Sequence, residues 1–190
     1  MDDLSPAITL ALARANEPRG REELFALVYD DMLRSARAQL GRNQRGNTLD
    51  TRALVNEAYL KLDRAGLDYA NRVHFYATVA RAMRQVVIDY ARARVTDRRG
   101  GGAEHVNLDA LADHPLPIDA QAEQLLAIDR ALQKLATLDD RLVKVVELRF
   151  FAGLEVKQIA ELLGVSEPTI KRDTRAAKAF LQSELAATVA

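Results

Sequence analysis

Apolar residues recur at helical spacing along most of the chain, and no alternating strand pattern interrupts them. This period predicts helices at about 5–16, 21–40, 49–65, 72–94, 119–136 and 141–151. In the second of them, Leu24, Val28 and Met32 belong to one broad apolar stripe, the pattern of a helix that packs on a core. The sequence therefore predicts an all-α fold.

The segment 153–181 predicts two helices joined by a tight turn. Gly164 interrupts the apolar period, and glycine takes the left-handed conformation that ends a helix. Ser166 supplies a hydroxyl cap for the second helix, and Pro168 is tolerated in a first turn. Ile170 is predicted to face the core. This is the layout of a helix-turn-helix, whose second helix enters the DNA major groove.

The polar residues near the start of the second helix are the candidate DNA contacts. They are Ser166, Thr169, Lys171, Arg172, Arg175 and Lys178. The first residues of a recognition helix meet base edges, whereas later ones contact phosphates. An ordinary helical hairpin with a solvated basic face is the alternative interpretation of the same pattern.

A second basic region lies in the helix predicted at 72–94. The formal net charge of the chain is zero, yet residues 71–99 contain seven arginines against Asp89 and Asp97. A solvated surface would also explain many arginines. Aromatic side chains beside them favour nucleic acid, since Tyr69 and Tyr76 can stack on unpaired bases. Phe75 has the spacing of a core residue.

The composition changes at Thr96, where glycine and proline replace the apolar period. Residues 96–118 include Gly100-Gly101-Gly102 and are predicted to be a flexible linker. The predicted organisation is thus two small helical domains, 1–95 and 119–190, joined by that linker. The second domain carries the helix-turn-helix.

Residues typical of enzymes and metal sites are missing from the sequence. There is no cysteine, and the three histidines are dispersed without metal-ligand spacing. The pair Asp139-Asp140 is better explained as charge at a helix start than as catalytic carboxylates. We expect no cofactor, no metal and no small-molecule substrate. No long apolar run or leader is present, so we expect a cytoplasmic protein that does not enter a membrane.

Three strings in order carry a resemblance to a known family. LVNEAYLKL at 54–62 resembles a segment that docks on core RNA polymerase. ARAMRQVVIDYARAR at 80–94 resembles a promoter-melting helix, and residues 142–181 resemble a −35-reading module along their full length. Together they resemble an extracytoplasmic-function (ECF) sigma factor. The resemblance implies that core RNA polymerase and promoter DNA are the partners.

The resemblance also assigns the candidate residues to surfaces. The helix-turn-helix residues named above would contact the −35 element. The −10 element would be contacted by Tyr69, Tyr76, Arg81, Arg84, Gln85 and Arg92. Core polymerase would be bound by Asp50, Leu54, Val55, Glu57 and Leu60.

One departure from the family pattern leads to a hypothesis on regulation. Family members usually carry Asp-Ala-Glu-Asp before the docking helix, whereas this chain has Asp50-Thr51-Arg52-Ala53. A phosphate on Thr51 would add about −1.5 to −2 charge and restore what two carboxylates supply. The sequence therefore predicts phosphorylation of Thr51 by a Ser/Thr protein kinase, with Thr48 as the second choice. The alternative is that Thr51 only helps to cap the helix.

A different class of protein remains open at this point. A stand-alone repressor or activator would also combine an N-terminal sensor with a C-terminal helix-turn-helix. Such a protein binds duplex DNA alone, whereas a sigma factor co-purifies with core polymerase.

Overall fold

The computed structural model describes residues 6–14, 17–40, 51–64, 69–100 and 118–189. Every regular element within these ranges is a helix, which confirms the all-α prediction for this part of the chain. The helices are α1 Pro6–Ala13, α2 Pro18–Leu40, α3 Thr51–Arg64, α4 Arg72–Gly100, α5 Ile118–Leu138, α6 Asp140–Val146, α7 Val156–Leu163 and α8 Glu167–Val189. Between α6 and α7 the chain forms a π-helical turn, Glu147–Phe151.

The longest helix, α4, extends further than its sequence pattern predicts. It was expected to end near residue 94 but continues to Gly100, so residues 96–100 are helical rather than part of a linker. Thr96 donates its hydroxyl hydrogen to the Arg92 carbonyl at 2.9 Å, a bond that a helix accommodates. A change in composition is therefore not a helix stop, and the first glycine comes only at position 100. The predicted linker residues 101–117 lie outside the described residues.

The N-terminal helices pack in sequence order, α1 on α2, α2 on α3 and α3 on α4. Their buried side chains include Leu24, Met32, Leu54 and Met83, which are at most 2% exposed. These positions share one face of each helix, so the helical period of the sequence specifies this core.

An ion pair at the edge of this core joins α3 to α4. Lys61 Nζ lies 2.7 Å from Asp89 Oδ2. Partial burial raises the pKa of Asp89, but hydrogen bonds from Lys61 and Gln85 and the nearby charges outweigh it. The pKa of this carboxyl therefore lies below its usual value of 3.8, and Asp89 is ionised at neutral pH.

The two halves of the chain are in contact with each other. Helix α4 packs along α5 and against the π-helical turn, and α2 also reaches that turn. Buried residues from both halves form a single hydrophobic cluster, with Met83 and Val87 from α4 and Leu132 and Leu148 from the C-terminal half. The linker that the sequence predicts thus connects modules that pack together.

Gly20 permits a close approach between the end of α1 and the start of α2. A β-carbon at this position would lie 1.9 Å from the carbonyl oxygen of Arg14. That oxygen belongs to the backbone, so it cannot move without shifting α1. Any side chain at position 20 would therefore force α1 to shift relative to α2.

We expect Gly20→Ala to lower the free energy of unfolding by about 1–3 kcal/mol, the usual cost of overpacking. The loss should occur although alanine is the better helix former. Urea denaturation measures it, with exposed Glu22→Ala as the control that stays within about 0.5 kcal/mol of the wild type. An unchanged stability of Gly20→Ala would show that α1 shifts at no cost.

Candidate nucleic-acid interface

The turn between α7 and α8 has the geometry that the sequence predicts. Gly164 has φ 65° and ψ 35°, the left-handed conformation at which glycine is favoured. Its N–H donates to the Glu161 carbonyl at 3.4 Å, and the Val165 N–H donates to the Ala160 carbonyl at 3.0 Å. These bonds satisfy the last carbonyls of α7 and turn the chain sharply into α8.

The first turn of α8 is capped as expected. The Ser166 Oγ accepts a hydrogen bond from the Thr169 N–H at 3.4 Å and lies 2.9 Å from the Thr169 hydroxyl. Pro168 is the second residue of the helix, where its missing N–H has no helical partner. Ile170 is fully buried, which confirms its predicted place in the core. The opposite face of α8 is therefore directed to solvent.

That solvent face carries the predicted DNA contacts. Ser166 and the basic residues of the helix are exposed, and Thr169 is partly exposed. The exposed basic residues are Lys171, Arg172, Arg175 and Lys178. The Arg172 side chain is 72% exposed, so it is free of the core and can reach a groove. Lys171 lies 3.7 Å from Glu167 one turn earlier, a weak surface pair.

An ion pair between a buried carboxylate and a half-exposed arginine joins α8 to α6. Asp173 is 6% exposed although it stands among the basic residues of α8. Its Oδ2 lies 2.7 Å from Arg141 Nη2 of α6. The available signal for this pair in the sequence was an acid, Asp173, that directly follows Lys171 and Arg172 and precedes Arg175. A buried carboxylate needs a partner, and here the partner holds the basic face outward.

The solvent face of α4 forms a second basic surface. Arg81, Gln85 and Arg92 are exposed there, as predicted for the −10 contacts. Gln85 donates to Asp89 at 2.7 Å, and Arg92 lies 3.5 Å from the same carboxylate. Asp89 thereby holds two of the three candidate residues in place.

Arg84 differs from these neighbours, because its side chain is not exposed on this surface. Its side chain is only 15% exposed. The guanidinium donates to Asp129 from Nε at 2.9 Å and to Glu147 from Nη1 at 2.7 Å. In this conformation Arg84 is not available to DNA, because the C-terminal half covers it. The sequence did place charges at Asp129 and Glu147 within apolar helices, and such a charge indicates a buried partner.

The aromatic side chains at the start of α4 also differ in part from the prediction. Tyr76 is 2% exposed and lies in the core, so it cannot stack on a base in this conformation. Phe75 is 3% exposed, as its spacing predicts, and the two ring centroids are 5.3 Å apart. Tyr69 is partly exposed and meets Phe75 edge-on at 5.1 Å. Of the two tyrosines, only Tyr69 reaches the surface.

The residues of α3 that are predicted to bind polymerase lie partly in the core and partly on the surface. Leu54 and Val55 are fully buried, so these two assignments are corrected: both side chains face the N-terminal core. Glu57 is exposed and Leu60 is 42% exposed, which leaves an acidic and an apolar group for a partner. Asp50 lies outside the described residues. Thr51 begins the helix, and its side chain is not described.

The part of the chain that the structure describes shows neither a metal site nor a membrane span. Among the described residues there is no group of His, Asp or Glu side chains arranged to hold a metal ion. No helix in the described ranges is long and apolar enough to span a membrane.

Comparison with known proteins connects these surfaces to a family. No curated protein and no solved structure matches the chain. A family model described as ECF sigma factor matches residues 7–187, which include both basic surfaces and α3. The chain therefore belongs to the ECF sigma factor family, the transcription initiation factors that bind core RNA polymerase and promoter DNA.

Proposed function

We propose that this chain reads the two elements of a promoter with two separate surfaces. The exposed residues of α8 contact the −35 element in the major groove. The N-terminal module contacts the −10 element through α4 and the preceding Tyr69. The observation that carries the proposal is one chain with two basic helix faces, each on its own module, within a single family match.

The surface of α3 is proposed to contact the polymerase. Glu57 offers a carboxylate and Leu60 an apolar side chain on adjacent turns, and both are exposed. Because Leu54 and Val55 are buried, their part in docking is indirect: they fix α3 on the N-terminal core. The proposed place of action is the cytoplasm, where core polymerase and promoters are found.

In vitro transcription from a promoter library, with purified core polymerase, tests the proposal. We expect initiation from a discrete set of promoters only when this protein is present. The experiment includes protein phosphorylated at Thr51, for the reason given below. A protein that binds duplex DNA alone and never supports initiation would instead be a stand-alone repressor or activator.

Arg172 and Lys178 are expected to contact different parts of −35 DNA, a base edge and a phosphate. Arg172 lies in the early turns of α8, where base edges are met, and Lys178 lies further along. A bidentate arginine–guanine pair contributes about 1–3 kcal/mol of discrimination. We expect Arg172→Ala to change the preferred base at particular −35 positions, whereas Lys178→Ala weakens all sequences alike.

Binding to randomised −35 duplexes, followed by sequencing of the bound fraction, measures both effects. Exposed Gln182→Ala, on the same helix and outside the predicted contacts, is the matched control. A uniform loss of affinity in Arg172→Ala would reduce Arg172 to a phosphate contact.

The docking helix is also the proposed site of regulation. Thr51 is the first residue of α3, and the first turn of this helix contains no acidic residue. A helix N-terminus stabilises an exposed anion by about 0.3–1 kcal/mol. A phosphate at Thr51 would supply the negative charge that the family pattern places at 50–53. We propose that a Ser/Thr protein kinase activates the protein in this way.

Substitution of Thr51 distinguishes this switch from simple capping. We expect Thr51→Ala to abolish induced transcription with little change in unfolding, and Thr51→Glu to restore part of it, since it adds one charge. Reporter transcription in cells under inducing conditions measures the effect. Thr137→Ala, at an exposed threonine of the C-terminal module, is the control. Wild-type transcription by Thr51→Ala would contradict a switch at this residue.

A further inference from the structure

Arg84 forms the ion pairs that join the two modules. Its guanidinium comes from α4 of the N-terminal module, and both carboxylates come from the C-terminal module, on α5 and the π-helical turn. Nη2 adds contacts at 2.7 Å to Asp129 Oδ1 and at 3.3 Å to the Asp129 carbonyl. Asp129 and Glu147 are each 7% exposed. This arginine is therefore bound on nearly all its donor atoms.

The partners of Arg84 resemble a nucleic-acid backbone in their chemistry. An arginine fork binds carboxylates and phosphates with the same paired N–H donors. Asp129 is itself positioned by Gln133, whose side-chain N–H donates to the second carboxylate oxygen at 2.9 Å. The C-terminal module thus offers Arg84 a fixed anionic acceptor of the kind that a phosphate would also provide.

The contact between the modules covers part of the basic surface of α4 and leaves the basic surface of α8 exposed. Arg84 is covered, whereas Arg172 on α8 remains 72% exposed. A polar cavity of about 370 Å³ lies beside the contact of Arg84 with Asp129 and Glu147. Its lining includes the predicted −10 residues Arg81, Gln85 and Arg92. The basic surface of α4 thus borders an open cavity between the modules, and Asp129, Gln133 and Glu147 of the C-terminal half form its other wall.

We infer that the contact of Arg84 with Asp129 and Glu147 is an autoinhibitory latch. In the free protein it holds the C-terminal module over α4 and lowers the affinity for unpaired −10 DNA, while α8 stays free for −35 DNA. Opening the latch exposes Arg84 for a phosphate of the promoter. The inference rests on the proposed −10 role of α4.

The latch differs from a general electrostatic attraction because its members are buried. A buried arginine without its carboxylates is strongly unfavourable, so their neutralisation selects the open form, in which Arg84 is hydrated. Binding to a state populated at one part in ten weakens the apparent affinity about tenfold. Removal of the latch should therefore raise affinity for −10 DNA by about that factor.

The first test is the double variant Asp129→Asn and Glu147→Gln. The chain contains no cysteine, so Glu22→Cys and Gln182→Cys, at exposed positions on the two modules, take a fluorophore pair without further change. We expect the fluorophores to be further apart in the latch variant than in the wild type. The control variant, Asp140→Asn with Glu161→Gln, removes two exposed carboxylates of the same module and should keep the wild-type distance.

The second measurement uses the same variants and a single-stranded oligonucleotide with the non-template −10 sequence of an active promoter. We expect about tenfold tighter binding by the latch variant, no change in the control variant, and equal −35 duplex binding by all three. Separated fluorophores without a gain in −10 binding would overturn the autoinhibition. A wild-type protein that never supports transcription would instead refute the proposed function.

Small-angle scattering of the free wild type tests the closed state without any substitution. A single compact body of 190 residues has a radius of gyration of about 16 Å. A clearly larger value, with two separated modules, would overturn the latch. A latch variant that unfolds cooperatively but keeps the wild-type distance between the fluorophores would also overturn the latch.

Discussion

The packing of α4 against both halves of the chain is the contact on which the rest of the structure depends. One side of this helix completes the N-terminal core through Phe75, Val79 and Met83, which are at most 3% exposed. Another side meets α5 and the π-helical turn, where Arg84 binds two carboxylates. A helix with two buried sides has little surface left for DNA. This shared use of α4 explains why residues predicted to contact one partner are divided between core, latch and solvent.

The two proposed DNA surfaces consequently differ in how exposed they are. The basic residues of α8 are exposed because Ile170 and Asp173 direct one face of the helix into its own module. The basic surface of α4 lies beside the neighbouring module. Under the proposed function, recognition of duplex DNA and capture of an unpaired strand are therefore controlled separately, although both depend on basic side chains.

Most of the fold could be predicted from local sequence patterns. The helical period gave the helices, and the turn chemistry of Gly164 and Ser166 gave the turn between α7 and α8, because these features depend on neighbouring residues. The partners of Arg84 could not be predicted in this way, since Asp129 and Glu147 are 45 and 63 residues away along the chain. The surface position predicted for Tyr76 was wrong, because a tyrosine ring can lie in the core although its hydroxyl is polar.

The π-helical turn makes the C-terminal module sensitive to chain length as well as to side-chain identity. In this turn the Ala152 N–H reaches back to the Glu147 carbonyl at 3.0 Å, which accommodates one more residue than an α-helical turn. Deletion of one residue between them would restore ordinary helical bonding. Everything downstream would then rotate by about 100° about the α6 axis. Asp173 would turn away from Arg141, so a single-codon deletion here would misdirect α8 while every basic side chain proposed to contact DNA was still present.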